Sequence, residues 1–82
     1  METIFLDDFI NNGIIKESYF RERIKSINWP SYKNKRVLIK GCASSPVPTW
    51  AYMIITAELS NYAKSILFGE QCAAVKIFDN KS

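Results

Sequence analysis

The sequence predicts an α/β fold with a small parallel β-α-β core of two or three strands, preceded by two N-terminal helices. Short apolar runs at 37–39 and 65–68 end at Gly41 and Gly69, and a long apolar segment predicted to be a helix lies between them. Strand–helix–strand connections join parallel strands and are right-handed in nearly all proteins. Both strands should therefore end at the same edge of the sheet, where open α/β sheets place their sites.

The first helix is predicted to begin at Thr3, which is a favourable N-cap residue. Gly13 follows two asparagines, and its freedom to adopt a left-handed conformation suits the end of this helix. The buried side of the helix would be formed by Ile4, Phe5, Phe9 and Ile10.

The second helix is predicted over residues 17–27, with an exposed ion pair between Glu17 and Arg21. Trp29 follows the helix next to a proline, and we expect its indole to pack onto the core as a lid. The apolar stripe has the spacing i, i+4, i+7 and consists of Phe20, Ile24 and Ile27.

The third helix is predicted over residues 48–64, with Pro48 in its first turn. Its apolar arc is wider than one sheet face requires, so either the first two helices or a second subunit should cover the remainder. We expect Trp50 to be a core or interface anchor. A further strand is possible at 74–78. The polar arc of the helix is narrow and consists of Thr49, Thr56, Ser60 and Lys64.

Composition indicates one small globular domain, residues 1–82, that associates with itself, because 48% of the residues are hydrophobic. The net charge is +3, but the basic residues are dispersed, and the densest group, 33–36, is expected to form a solvated turn. These features predict a homodimer, with a further protein partner possible and with neither nucleic acid nor membrane as a partner. With two cysteines and no recognisable signal peptide, the expected location is the cytoplasm, where thiols are reduced.

The candidate metal site consists of Cys42 and Cys72, which follow the two core strands and should lie at one rim of the sheet. Three interpretations of these cysteines stay open. They are structural core residues, ligands of zinc or an iron–sulfur cluster, or a thiol–disulfide pair. Two thiolates do not complete a tetrahedral site, whereas a dimer that gathered four would. Histidine is absent, which excludes His-ligated metals and Ser-His-Asp or Cys-His catalysis within one chain.

A second candidate site is an anion-binding loop formed by Ser44, Ser45 and Thr49. These residues precede or begin the third helix, where free backbone N–H groups and the helix dipole favour negative charge. No P-loop and no Gly-x-Gly-x-x-Gly motif is present, so nucleotide binding of the usual kinds has no support.

Residues 37–42, 46–53 and 63–72 resemble a bacterial family of uncharacterised proteins, the one catalogued as domain of unknown function 2480. These runs read VLIKGC, PVPTWAYM and AKSILFGEQC. Members of that family are about twice as long and look like two related halves. The resemblance therefore implies that this chain is a single-unit version and that two copies do what one long chain does. Genes of the family often lie near those for sulfur mobilisation and iron–sulfur cluster assembly, which implies a thiol- or cluster-related accessory role.

Taken together, the residues favour a self-associating, non-catalytic cytoplasmic accessory protein of unknown specific role. The alternative is a thiol-based metal or iron–sulfur assembly factor that uses Cys42 and Cys72. An enzyme that binds an anionic substrate in the loop from Cys42 to Thr49 is a third hypothesis.

Overall fold

A computed structural model describes residues 1–10, 13–41, 47–69 and 74–80. These residues form a four-stranded sheet, two α-helices and two short 3₁₀ helices, Leu6–Phe9 and Trp29–Tyr32. In chain order, the strands and α-helices are β1 (Glu2–Phe5), α1 (Glu17–Ser26), β2 (Arg36–Lys40), α2 (Thr49–Leu59), β3 (Ser65–Phe68) and β4 (Val75–Asp79).

The sheet has the strand order β1-β2-β3-β4. The first three strands are parallel neighbours, with Ile4 opposite Ile39 and Val37 opposite Ile66. The predicted parallel β2-α2-β3 core is therefore confirmed. The predicted strand near 74–78 is also present as β4, but it runs antiparallel at the outer side of β3 and does not separate β2 from β3.

The predicted first helix is wrong, and with it the prediction of two N-terminal helices and of two or three strands. Residues 2–5 form β1, and the turn of 3₁₀ helix that follows buries Leu6 and Phe9. Thr, Ile and Phe favour strands, and an isolated helix this short is marginal in water. Pairing with β2 provides hydrogen-bond partners that a short helix could not supply. Gly13 does adopt a positive φ of 80°, but it lies beyond this segment and caps no α-helix.

Both α-helices cover the same face of the sheet. Phe20 of α1 and Ile55 of α2 belong to one hydrophobic cluster with the strand residues Ile4, Ile39 and Ile66. Successive right-handed crossovers that progress in one direction along a sheet place their helices on one side, which explains this arrangement. The molecule therefore has two layers, and the opposite face of the sheet carries no helix among the described residues.

The predicted second helix, residues 17–27, is confirmed as α1, which ends one residue earlier, at Ser26. The Glu17 carboxylate lies 2.9 Å from Nε of Arg21, as expected for an i, i+4 pair. Trp29 is buried, and its Nε1–H donates a hydrogen bond of 3.1 Å to the backbone oxygen of Ile24. Trp29 thus packs as a lid on the core and also satisfies a carbonyl near the end of α1.

Helix α2 is shorter than predicted because the chain after Leu59 pairs with the turn that precedes β2. The backbone N–H of Asn34 donates to the oxygen of Tyr62, and that of Lys64 donates to the oxygen of Lys35. Asn34 adopts a φ of 62°, which asparagine tolerates. Pro48 is the N-cap residue and lies just before the helix.

Candidate functional site

The sheet edge at which β1, β2 and β3 end is the rim where the sequence places its site. Helix α2 begins on this side of the sheet. The backbone N–H of Gly69 donates to the oxygen of Ile39 over 3.2 Å, so the exits of β2 and β3 stay joined after β3 has ended. The adjacency of these two strands, on which a shared cysteine site depends, is therefore observed.

Most of the predicted site residues lie outside the described residues. This holds for Cys42 and Cys72 of the metal site and for Ser44 and Ser45 of the anion-binding loop. Thr49 is described, and it is the exposed first residue of α2. Both sites stay predictions. In the described part of the chain, no group of three or more His, Cys, Asp or Glu side chains is placed to hold a metal ion.

The described part of the rim is built around Gly41 and Tyr52. A methyl group added at Gly41 would lie 2.5 Å from the Tyr52 hydroxyl oxygen, so a side chain at this position requires Tyr52 to move. The Tyr52 ring in turn packs edge-on against Phe68, with the ring centroids 4.9 Å apart. This contact joins α2 to β3 at the rim.

A second contact of the rim lies on the face of the sheet that carries no helix. Nζ of Lys40 lies 5.8 Å from the centre of the Phe5 ring, a cation–π distance, and Phe5 is exposed. The described rim thus presents the aromatic rings of Phe5, Tyr52 and Phe68, with Lys40 beside the Phe5 ring.

The end of the sheet at which β1 and β2 begin holds a shallow, open depression of about 310 Å³. It is lined by Met1, Glu2, Lys35 and Arg36. Near it, burial of the phenol raises the pKa of Tyr32, and the negative charge of Glu2 adds to this effect. Lys35 and Arg36 belong to the basic group 33–36, which is exposed as predicted, although Arg36 is already the first residue of β2.

The outward side of α2 is an exposed helix surface without charged side chains. We call the residues Thr49, Met53 and Ala57 the α2 stripe; all three are exposed, and 65% of Met53 is accessible. None of them is charged, and Glu58, the one acidic or basic residue of α2, is half-buried. By contrast, the exposed side of α1 carries Glu17, Arg21, Glu22, Arg23 and Lys25.

The sequence predicts excess apolar surface on this helix but does not show which of its residues stay exposed. Part of the excess is covered within the chain: Trp50 is half-buried and packs edge-on against Phe20, 5.4 Å away, which confirms it as a packing residue. The uncovered part is the α2 stripe, which turns Met53 outward. The signal was the i, i+4, i+8 spacing, but a helix that is apolar on most sides does not reveal which side faces water.

No helix among the described residues is long and apolar enough to cross a membrane. No curated protein and no solved structure matches the chain. A family model described as protein of unknown function, DUF2480, matches residues 9–80. This match spans nearly all of the sequence and agrees with the resemblance of residues 37–42, 46–53 and 63–72. The chain belongs to the DUF2480 family.

Proposed function

We propose that this protein is a small cytoplasmic accessory protein that has no catalytic role and acts by self-association. The observation that carries this proposal is the α2 stripe, a helix surface that faces water without a charged side chain. Helices that are apolar on most sides are normally buried, and uncharged exposed helix surfaces are typical of contacts with another chain.

Other exposed apolar side chains do not carry the same weight. Ile14 is a single exposed apolar residue, and such residues are common on soluble proteins. Phe68 and Val75 are exposed partners on β3 and β4, but they adjoin residues 70–73, which lie outside the described residues. Met53 differs because its neighbours one turn away on either side, Thr49 and Ala57, are also exposed and uncharged. The surface is therefore continuous along the helix.

Sedimentation equilibrium over a wide concentration range tests the proposal. We expect a reversible shift from the chain mass of 9.4 kDa towards twice that mass. A single species of 9.4 kDa at concentrations up to about 1 mM, at which association as weak as about 4 kcal/mol would be detected, would contradict self-association.

A thiol-based metal or iron–sulfur assembly function is the second candidate, and the adjacency of β2 and β3 favours it. Cys42 follows β2 and Cys72 follows β3 within a few residues, and the two strands leave the sheet side by side. Zinc and iron–sulfur clusters are the groups that cysteine thiolates hold best. Anaerobic purification followed by elemental analysis should show metal in the wild type, and Cys42→Ser and Cys72→Ser should each remove it. Equal metal content in all three proteins would exclude this function.

A further inference from the structure

We infer that two copies of this chain pack through their α2 helices, antiparallel about a two-fold axis at Met53, with each Met53 side chain over the partner's Ala57. The inference rests on the proposed self-association and names the surface that carries it. A two-fold contact uses the same patch on both copies, so the patch must be complementary to itself.

The order of side-chain sizes along the α2 stripe meets this requirement. The large Met53 lies between the smaller Thr49 and Ala57, each one helical turn away. An antiparallel partner reverses the order, so Thr49 comes level with the partner's Ala57 when the two Met53 residues are level with each other. Helical side chains lean towards the N-terminus of their own helix. Each Met53 therefore leans towards the partner's Ala57, whose small side chain leaves room for it.

Charge favours this surface over the uncovered face of the sheet. Strand register and alternation place Arg36, Lys40, Lys76 and Asp79 on that face, away from the helices. Asp79 is already 3.6 Å from Lys76 of the same chain. Three of these four residues are cations, so two such faces would repel each other, whereas two α2 stripes bring no charges together.

Strand pairing at the β4 edge of the sheet is also disfavoured. The pairing of β4 with β3 is irregular at Ile66/Leu67, where β4 accommodates an additional residue, and β4 carries the exposed Lys76. Bulges and lysines on edge strands are features that oppose edge-to-edge association. The α2 stripe lacks both charge and irregularity, so it fits a second copy better than the open face of the sheet or the β4 edge does.

The size of the surface predicts a weak dimer. Eleven residues give α2 a length of roughly 16 Å, and a helix with its side chains is about 10 Å wide. Such a contact buries less than the roughly 800 Å² per partner of a standard stable interface. We therefore expect a dissociation constant in the micromolar range or weaker, with rapid exchange between monomer and dimer.

Opposite charges introduced at Met53 provide the test. Met53→Lys and Met53→Glu are each compared with the wild type by sedimentation equilibrium, alone and as an equimolar mixture. Because Met53 is exposed, both variants should keep the circular dichroism spectrum of the wild type. Each alone should weaken association by about tenfold or more, and the mixture should recover most of that loss because the two-fold axis brings a lysine against a glutamate.

Ile14→Lys and Ile14→Glu are matched controls, because Ile14 is also an exposed apolar residue, 51% accessible, but lies outside α2. They should leave association unchanged. Ala57→Glu is a second variant in the stripe and should also weaken the dimer.

The outcomes separate the two claims. If Met53→Lys and Met53→Glu dimerise as strongly as the wild type, the proposed α2 interface is wrong, whereas self-association is still supported. Loss of association in both variants without recovery in the mixture overturns the two-fold register at Met53. A wild type that is monomeric at all concentrations overturns self-association itself.

Discussion

At the scale of single residues, the rim depends on the absence of a side chain at Gly41. The Tyr52 hydroxyl occupies the space that a Cβ atom would need, and the tyrosine ring is held by its contact with Phe68. A substitution at Gly41 must therefore displace Tyr52, and the displacement loosens the packing of α2 on β3.

Gly41→Ala should destabilise the protein by about 1–3 kcal/mol, the usual cost of overpacking. The matched control is the same change in a Tyr52→Phe background. Without the hydroxyl, the nearest Tyr52 atom, the ring carbon that carried it, lies 3.6 Å from the new methyl group, an ordinary contact. Urea unfolding of the four proteins gives the coupling energy. Equal costs of Gly41→Ala in both backgrounds would show that Tyr52 is not the obstacle.

Tyr32 should make stability depend on pH in alkaline solution. Its pKa in the folded protein is raised above the ordinary value of 10.0, first by burial and then by Glu2. The neutral phenol is therefore favoured by folding, and the resulting stabilisation is complete below the unfolded pKa and is lost as pH rises through the folded pKa.

Tyr32→Phe removes this titration. Above the ordinary pKa of 10.0, the free energy of unfolding should fall less steeply with rising pH in the variant than in the wild type. Denaturant unfolding at several pH values measures both slopes. Parallel slopes for the two proteins would mean that Tyr32 titrates alike in the folded and unfolded states.

At the scale of secondary-structure elements, Trp29 caps the C-terminal end of α1. The Ile24 oxygen accepts hydrogen bonds from the Trp29 indole and from the backbone N–H of Ile27. Carbonyls in the last turn of a helix lack partners within the helix, so these bonds satisfy a group that burial would otherwise penalise.

Trp29→Phe should therefore destabilise the fold by about 1–3 kcal/mol, through the lost hydrogen bond and the smaller ring. Glu17→Gln is a useful comparison on the same helix, since its ion pair with Arg21 is exposed and should contribute only a few tenths of a kcal/mol. Thermal unfolding followed by circular dichroism ranks the two. A Trp29→Phe variant no less stable than Glu17→Gln would contradict the capping role.

Elements with strong and specific patterns could be predicted, and the others could not. The amphipathic spacing of Phe20 and Ile24 located α1, and the apolar runs before Gly41 and Gly69 located β2 and β3. Segment 2–10 was misassigned because Ile4, Phe5 and Phe9 suit a helix as well as a strand followed by a turn. Only pairing with β2, far along the chain, decides between these alternatives.

At the scale of the whole molecule, the fold is a sheet covered by helices on one face. The sequence correctly predicted the parallel core and thus the common exit of β2 and β3. It could not predict the outward direction of Met53, because the phase of a largely apolar helix is set by contacts such as Phe20–Trp50 and Tyr52–Phe68. Which side of α2 faces water is therefore decided by tertiary packing.

The response of the dimer to salt follows from the neutrality of the α2 stripe. Each chain carries a net charge of +3, so two copies repel weakly at long range, and salt screens this repulsion. Association should therefore stay constant or strengthen slightly between about 50 and 500 mM NaCl. Salt weakens the repulsion between the two copies and does not oppose apolar contacts. Sedimentation at several salt concentrations checks this. A dimer that dissociates as salt is raised would indicate an interface held by ion pairs.

The central claim is that this DUF2480 protein acts by self-association through α2. Amide chemical shifts of the isotopically labelled wild type, recorded by NMR over a dilution series, test it most directly because they report association and its location together. We expect the shifts of Thr49, Met53 and Ala57 to change with concentration, while those of Arg36 and Lys76 on the uncovered face of the sheet stay constant. Shifts confined to the sheet face, or spectra that do not change with concentration, would contradict it.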